Sequence, residues 1–328
     1  MLPYFGAAVL AVIILVAAVI AILLNGPSAA AGRLFVLSCR ETSALKWLPE
    51  LFASEARLET LVSANSAEFS LYPAEDGSSV LSTDNTAESI SADAISSDDN
   101  GITLIDIHED LFKGKLMIVS DPAKVCIGAL DRYGSDVEGL YLYEFIEKYD
   151  AIAGTNAGGF YDPNGYGNGG IPDGLVIIDG EIRYGSADIW YNNIIVFDDE
   201  HILHVGSKTA AAALAEGITS AVSFAPGPVL VSDGVMQTGL GGGINPRTCI
   251  GQREDGTVLI LVLEGRKPDS LGATYDDLAE IMFSYGAVNA ANLDGGSSSL
   301  MYYNGEQITR GSNIVGMRKM STSILVLK

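Results

Sequence analysis

Basic side chains are scarce in this chain. Of 328 residues, 19 are Lys or Arg against 41 Asp or Glu, for a net charge of −22. Nucleic-acid binding needs a basic footprint, so this balance argues against it. An anionic partner would have to be gripped by a local Arg/Lys cluster. Histidine is scarcer still, with His108, His201 and His204 alone. GxSxG is absent as well, so a Ser–His–Asp triad has no support; His201 and His204 read as ordinary surface or strand residues. Cys39, Cys126 and Cys249 make no CxxC pair and no zinc spacing. They read as buried free thiols, with a Cys126–Cys249 bridge as an alternative whose geometry a sequence does not supply. The stretch "GGGINPRT" lacks the Lys-Ser/Thr and following helix of a P-loop, and no dinucleotide fingerprint occurs.

Charge is missing altogether before Arg33, and residues 4–24, "YFGAAVLAVIILVAAVIAILL", are almost unbroken in their apolarity. That length meets the roughly 20 residues a bilayer core requires. The run predicts a transmembrane signal-anchor within residues 1–32. A cleaved signal peptide would have a shorter apolar core and a basic start, although "AAAG" at 29–32 offers a small-residue cleavage site. Arg33 and Arg40 follow the span, so the positive-inside rule taken alone keeps the C-terminal side in the cytoplasm.

Residues 33–62 form a juxtamembrane segment in which "ALKWLPELFASEARLETLV" has near-helical apolar spacing and predicts one amphipathic helix. Between residues 63 and 100 there are ten serines and eight acids and no Lys or Arg. So few large apolar residues do not offset the entropy of ordering, which predicts a flexible acidic linker.

From residue 101 the pattern changes to short β-rich runs, turn dipeptides and a few helical stretches. "GLYLYEFIEKYDA" (139–151) predicts a helix, and "GLVIIDGEIRYG" a hairpin turning at Asp179-Gly180. "NIIVFDDEHILHVG" reads as a second hairpin and "VLILVLEGR" as a buried strand. "TYDDLAEIMFSYGA" predicts a helix capped by Thr274 with Asp277 at its third position. Strands and helices intermix without βαβ alternation, so residues 101–328 are expected to be one α+β domain around a mixed sheet.

Three polar, glycine-rich segments sit between expected strands, where sites tend to form. In "AGTNAGGFYDPNGYGNGGIPDG", Asn156 precedes Gly158, Gly159, Phe160 and Asp162. Glycine pairs let a ligand approach the backbone. Asp162, Asn164, Asn168 and Asp173 are oxygen donors of the kind Ca2+ takes, without EF-hand spacing. In the second segment, a hairpin across Asp255-Gly256 would bring Arg247 and Arg266 to one side of the sheet. Two guanidiniums there suit a phosphate or carboxylate; the plainer reading pairs Glu264 with Arg266 at the surface. In the third, "NAANLDGGSSSLMYYNG", a strand delivers Asp294 into Gly295, Gly296 and Ser297–Ser299, whose N–H and O–H groups can face an oxyanion. A turn aspartate is the plainer reading.

Five blocks, "AGTNAGGFYD", "GIPDGLVIIDGEI", "NPRTCIGQREDGTVLILVLEGR", "LAEIMFSYGAVNAANLDGGSSSLMYYNG" and "MRKMSTSILV", taken in order, resemble the phosphodiester glycosidase domain family. That family includes N-acetylglucosamine-1-phosphodiester α-N-acetylglucosaminidase and bacterial members linked to exopolysaccharide. The resemblance covers residues 101–328 and not the apolar segment or the linker. It implies hydrolysis of a sugar joined through its anomeric oxygen to a phosphodiester. It implies as catalytic Asp294, Arg247 and Arg266, with Glu264 in reserve. As substrate-binding it implies Asn156, Gly158, Gly159, Phe160, Gly295, Gly296, Ser297, Ser298 and Arg318. Glu264 stands where the family usually has Asp, Ser297 where a third glycine is common, and Met317 where a Glu usually precedes Arg318. The last departure leaves open how Arg318 is held.

A phosphate monoester leaves far more readily than an alcohol. Such a site therefore works with one carboxylate and arginines, where an ordinary glycosidase wants two paired carboxylates. No cofactor is required, and structural Ca2+ is compatible with the loops. The expected partners are a phosphodiester-linked glycan and, through the N-terminal helix, the membrane, with no nucleic acid. The resemblance favours a single-pass cell-membrane protein with an extracellular domain, against the charge bias. The rival reading is a non-catalytic domain that binds anionic wall polymer or exopolysaccharide with the same arginines.

Overall fold

The computed structural model describes residues 2–42, 45–63, 98–312 and 316–328. Most of the expected acidic linker, residues 64–97, lies outside them. The chain divides into two compact units: residues 1–85 with 241–244, and residues 86–240 with 245–328.

In the first unit the apolar run is the helix Leu2–Asn25, and Phe5–Asn25 is long and apolar enough to cross a membrane. Its side chains are largely uncovered, with Ile13 59% and Leu15 64% exposed. The helix Ala29–Arg40 begins at Ser28, whose hydroxyl accepts from Ala31 N–H. The single amphipathic helix expected beyond it is instead a short 3-10 turn, Pro49–Leu51, followed by the helix Glu55–Ser63. Pro49 has no N–H to give the residues before it, so the turn begins there. Leu24, Val36, Leu58 and Leu61 close a small core between the helices.

The second unit confirms the α+β expectation and corrects the sheet. There are three sheets, and every strand pairing among the described residues is antiparallel. Hairpins make some of these pairings, such as Arg247–Arg253 with Val258–Leu263, and the others join strands far apart in sequence, such as Lys113–Val119 with Val258–Leu263. At Asp179-Gly180 both residues take positive φ, 53° and 73°, and turn Val176–Ile178 into Glu181–Tyr184.

The seven-stranded sheet has at its centre Lys113–Val119, Val258–Leu263, Arg247–Arg253 and Ala287–Asn292, side by side in that order. A five-stranded sheet contains Met301–Tyr303, Ala151–Asn156, Thr322–Leu327 and Val125–Ala129. The other five-stranded sheet is built on Ile218–Ser223 and Trp190–Asp198. The inner faces of all three share one core, including Val119, Ile127, Ile195, Ile260 and Ile324. Each outer face carries one helix: Tyr275–Ser284, Leu142–Lys148 and Ala210–Ala215 respectively. The strand Val258–Leu263 is therefore buried along its whole length, which is why its sequence shows no alternation. Thr274 caps the first of these helices as its spacing predicts, in a reciprocal box with Asp277.

No disulfide forms. Cys126 and Cys249 lie on different sheets as free thiols, and burial pushes the Cys126 thiol up to about 11.

Candidate active site

The three central strands of the seven-stranded sheet end together. Arg247 pairs with Leu263 across the Asp255-Gly256 hairpin, so Arg247 and the 264–266 segment emerge at one end. Ala287–Asn292 runs antiparallel to Arg247–Arg253, with Cys249 opposite Asn292, and so delivers Asp294 to that same end. Ser323 pairs with Asn156, which brings the residues after Asn156 and before Thr322 alongside one another in the neighbouring sheet.

The Asp294 loop is stitched to both sheets by its backbone. Asp294 N–H donates to Ala157 O at 2.9 Å, and Gly296 N–H to Pro246 O at 2.8 Å. The Asn156 amide donates to the Asp294 carbonyl, while its oxygen accepts from the Thr155 and Thr248 hydroxyls. A side chain at Gly295 would come within 3.0 Å of the Pro246 carbonyl. Gly296 has φ +64° and lies against the Arg266 guanidinium, where a Cβ would stand 3.2 Å from Nη2. The glycines are thus required by close approach and by a left-handed backbone.

Asp294 keeps some solvent exposure, yet its carboxyl group is desolvated. Burial is the largest influence and lifts it from the ordinary 3.8 to about 6. A Ser298 hydrogen bond, the Arg318 charge and the Gly295 N–H (2.9 Å) pull it back down, and the Asp162 charge pushes it up.

The arginines differ in their setting. Arg247 is 4% exposed; its Nε donates to Ala273 O at 3.1 Å, and its guanidinium stacks 3.9 Å from the centre of the Tyr275 ring. Arg266 is exposed, takes φ +58°, and donates to Asn245 Oδ1 at 3.0 Å. Arg318 forks onto Asp162, with both bonds at 2.7 Å. Its Nη2 also reaches Gly167 O at 3.2 Å, its Nη1 reaches Ser297 Oγ at 3.4 Å, and its plane lies 4.8 Å from the Phe160 ring centre.

Glu264 is 8% exposed and pairs with Arg310, which donates from its backbone N–H at 2.7 Å and its Nε at 2.6 Å. The plainer expectation of a Glu264–Arg266 pair is replaced by this one. Arg310 follows Glu306–Gln307 in a different sheet and reaches the carboxylate from a segment distant in sequence. Asn156, Gly158, Gly159 and Phe160 are buried beneath the loop. A Cβ at Gly158 would come 3.0 Å from the Ser223 carbonyl, and one at Gly159 3.0 Å from the Phe224 ring, so these glycines serve close packing. Ser297 touches Arg318, Ser298 holds the carboxylate, and Ser299 Oγ accepts from Thr248 at 3.1 Å.

Two of the oxygen donors considered for Ca2+ make other contacts. Asp162 is engaged by Arg318 and by Gly167 N–H, and Asn168 bonds Val137 O and Gly170 N–H. The Asn164 side chain lies outside the described residues. Among the described residues no three His, Cys, Asp or Glu side chains gather as a metal would need. A separate cleft of about 540 Å3 lies beside the helix Leu142–Lys148, lined by Leu130, Arg132 and Glu144 among others, and none of the loop residues lines it.

Sequence reasoning missed Arg310 and Tyr275, which no motif marked. It saw Asp162 only as a calcium donor, although the missing acid at 317 asked which group holds Arg318.

A family model described as phosphodiester glycosidase matches residues 149–327, more than half of the chain. An uncharacterised SPbeta prophage-derived protein of Bacillus subtilis is 33% identical over 159 residues, 46% of this chain. The match spans 25% of that relative, so the chain corresponds to about a quarter of the length of the curated protein it matches. Among solved structures, the catalytic domain of zebrafish N-acetylglucosamine-1-phosphodiester alpha-N-acetylglucosaminidase, auto-inhibited by its pro-peptide, superposes with a TM-score of 0.55. It is 21% identical, and the match covers 72% of this chain and 87% of that one, a likeness of fold. A hypothetical protein from Synechocystis gives 0.49 at 17% identity over 73% of this chain and 64% of that one. This chain belongs to the phosphodiester glycosidase family.

Proposed function

We propose that the domain hydrolyses a sugar linked through its anomeric position to a phosphodiester on a cell-surface glycan or polymer. The observation that carries this reading is a single desolvated carboxyl group, Asp294, in a glycine-serine loop bordered by Arg266 and Arg318 and underlain by Arg247. In the reaction the C1–O bond breaks and its electron pair leaves with the phosphate oxygen, as a phosphate monoester. Water supplies the new C1–O bond, and its proton passes to Asp294 acting as general base. Attack by Asp294 itself, followed by hydrolysis of the glycosyl ester, gives the same products. The leaving group needs charge stabilisation rather than a proton, and guanidiniums supply it through paired hydrogen bonds. Exposed Arg266 is the direct phosphate contact. Arg247, nearly buried and stacked on Tyr275, supplies field from below. Glu264, held by Arg310, shapes the loop. No step calls for a metal or cofactor, and calcium remains a structural proposal for the loops.

The test is a panel of sugar-1-phosphodiesters with product analysis that separates C–O from P–O cleavage. Release of free sugar and a phosphate monoester that carries no 18O from labelled water, lost in Asp294→Asn with the fold intact, is the expected result. Near-normal turnover by Asp294→Asn would sink the assignment. Binding of anionic polymer that survives Asp294→Asn, with no phosphate ester released, would establish the binding-domain alternative instead.

The uncovered apolar helix Phe5–Asn25 supports a membrane anchor. We place the domain outside the cell, where such polymers are, against the charge bias of Arg33 and Arg40. Protease added to intact cells should release the domain; protection until lysis would reverse the orientation.

A further inference from the structure

We propose that Asp162 is the positioning residue of this site: it locks Arg318 so that one edge of the guanidinium is presented to an anionic oxygen of the substrate beside Asp294. The inference rests on the phosphodiester reading above and adds to it a residue and a division of labour among the arginines.

A guanidinium has a plane and a limited set of N–H directions. At Arg318 three of the four Nη directions are firmly specified. The two carboxylate oxygens of Asp162 take one N–H from each Nη, both at 2.7 Å, and Gly167 O takes the other Nη2 proton at 3.2 Å. Phe160 packs 4.8 Å from the cation and fixes the tilt of the plane. The remaining Nη1 direction holds only Ser297 Oγ at 3.4 Å, at the long limit of a hydrogen bond. Ser297 belongs to the Asp294 loop, so this weakly used N–H points toward the candidate reacting carboxylate. A phosphate oxygen arriving there gains a charge-assisted bond and displaces little.

The fork has an electrostatic consequence too. Without Asp162, Arg318 would be free to turn onto Asp294 and hold it as a permanent ion pair. With Asp162 in place, the cation is already neutralised on its far side. Asp294 then faces Arg318, Asp162, the Ser298 hydroxyl and the Gly295 N–H together, and stays a basic carboxylate. The arrangement also answers the missing acid at 317: an aspartate supplied by another loop holds the arginine.

The experiment uses the full chain with Asp162→Asn, Arg318→Lys, the double variant and Asp162→Glu. The Asp294 carboxyl titration is followed by 13C NMR, and turnover is measured on the sugar-1-phosphodiester panel. Loss of positioning near a reacting centre costs roughly 10²-fold, so Asp162→Asn is expected to lower kcat about that much while thermal unfolding shows the domain intact. Its Asp294 midpoint should move down, because a repelling charge is gone and Arg318 is released toward it. Asp162→Glu should restore part of the turnover. Because Asp162 acts through Arg318, adding Asp162→Asn to Arg318→Lys should cost little more than Arg318→Lys alone. Additive losses, or an unmoved Asp294 midpoint in a folded Asp162→Asn, would overturn the proposal. If the wild-type chain turns over no phosphodiester but the midpoint moves as stated, the functional reading fails and the Asp162–Arg318 coupling stands.

Discussion

Asp294 carries an acid that desolvation holds at about 6 instead of 3.8, and two opposite consequences follow. For catalysis as base or nucleophile it must be ionised, so turnover should fall as pH drops through about 6. A pH–rate profile with a limb near 4 would contradict this, and one falling above 6 would make Asp294 an acid instead. For stability the sign reverses. Between roughly 4 and 6 the folded state binds this proton and the unfolded state does not, so the group's contribution to stability is greatest in acid and declines as pH rises through that window. At neutral pH the ionised group is destabilising. Asp294→Asn should therefore raise the melting temperature at pH 7, while losing activity, and the gain should vanish below pH 4. Equal melting temperatures at pH 7 would show the carboxyl to be better solvated than its surroundings indicate. The candidate acid itself was legible, since a lone carboxylate between an apolar strand and "GGSSS" is conspicuous. Its pKa was not, because desolvation depends on what covers the loop, and Ala157, Arg318 and Asp162 come from elsewhere in the chain.

Single elements followed their local signals closely. The Thr274–Asp277 cap and the Asp179-Gly180 turn form as their residues dictate, because caps and two-residue turns are satisfied within a few residues of chain. Thr274→Ala should cost about 1 kcal/mol in denaturant unfolding with activity retained. Gly296 belongs to this scale as well. Its φ of +64° and its contact with Arg266 imply that Gly296→Ala costs on the order of 1–2 kcal/mol and pushes the guanidinium aside. We expect a raised KM for the phosphodiester with a smaller change in kcat. An unchanged KM would remove Arg266 from the substrate contacts. The expected amphipathic helix over residues 44–62 does not run through Pro49, which has no N–H to give the preceding turn.

At the scale of the molecule, the chain divides into two compact units, and the apolar helix belongs to the first. A chain starting at residue 86 retains every strand and helix of the second unit, and its core owes nothing to Leu2–Asn25. It should be recovered without detergent, keep turnover of the full chain, and leave the membrane fraction. Aggregation of that shortened chain, with loss of its near-UV signal, would show that the first unit is needed for folding. By itself the sequence determined the apolar span, several of the domain's hairpins, strands and helices, the hairpin that brings Arg247 and Arg266 to one end, and the ordered blocks of the family. Each depends on hydrophobic periodicity, turn chemistry or a contiguous motif, all of which are local. Only the tertiary structure decided that the strands form three antiparallel sheets around a shared core. It alone set Arg310 on Glu264, Tyr275 under Arg247 and Asp162 on Arg318. Those partners lie in segments distant along the chain, where pairing is chosen by the register of whole sheets and leaves no mark in the spacing of residues.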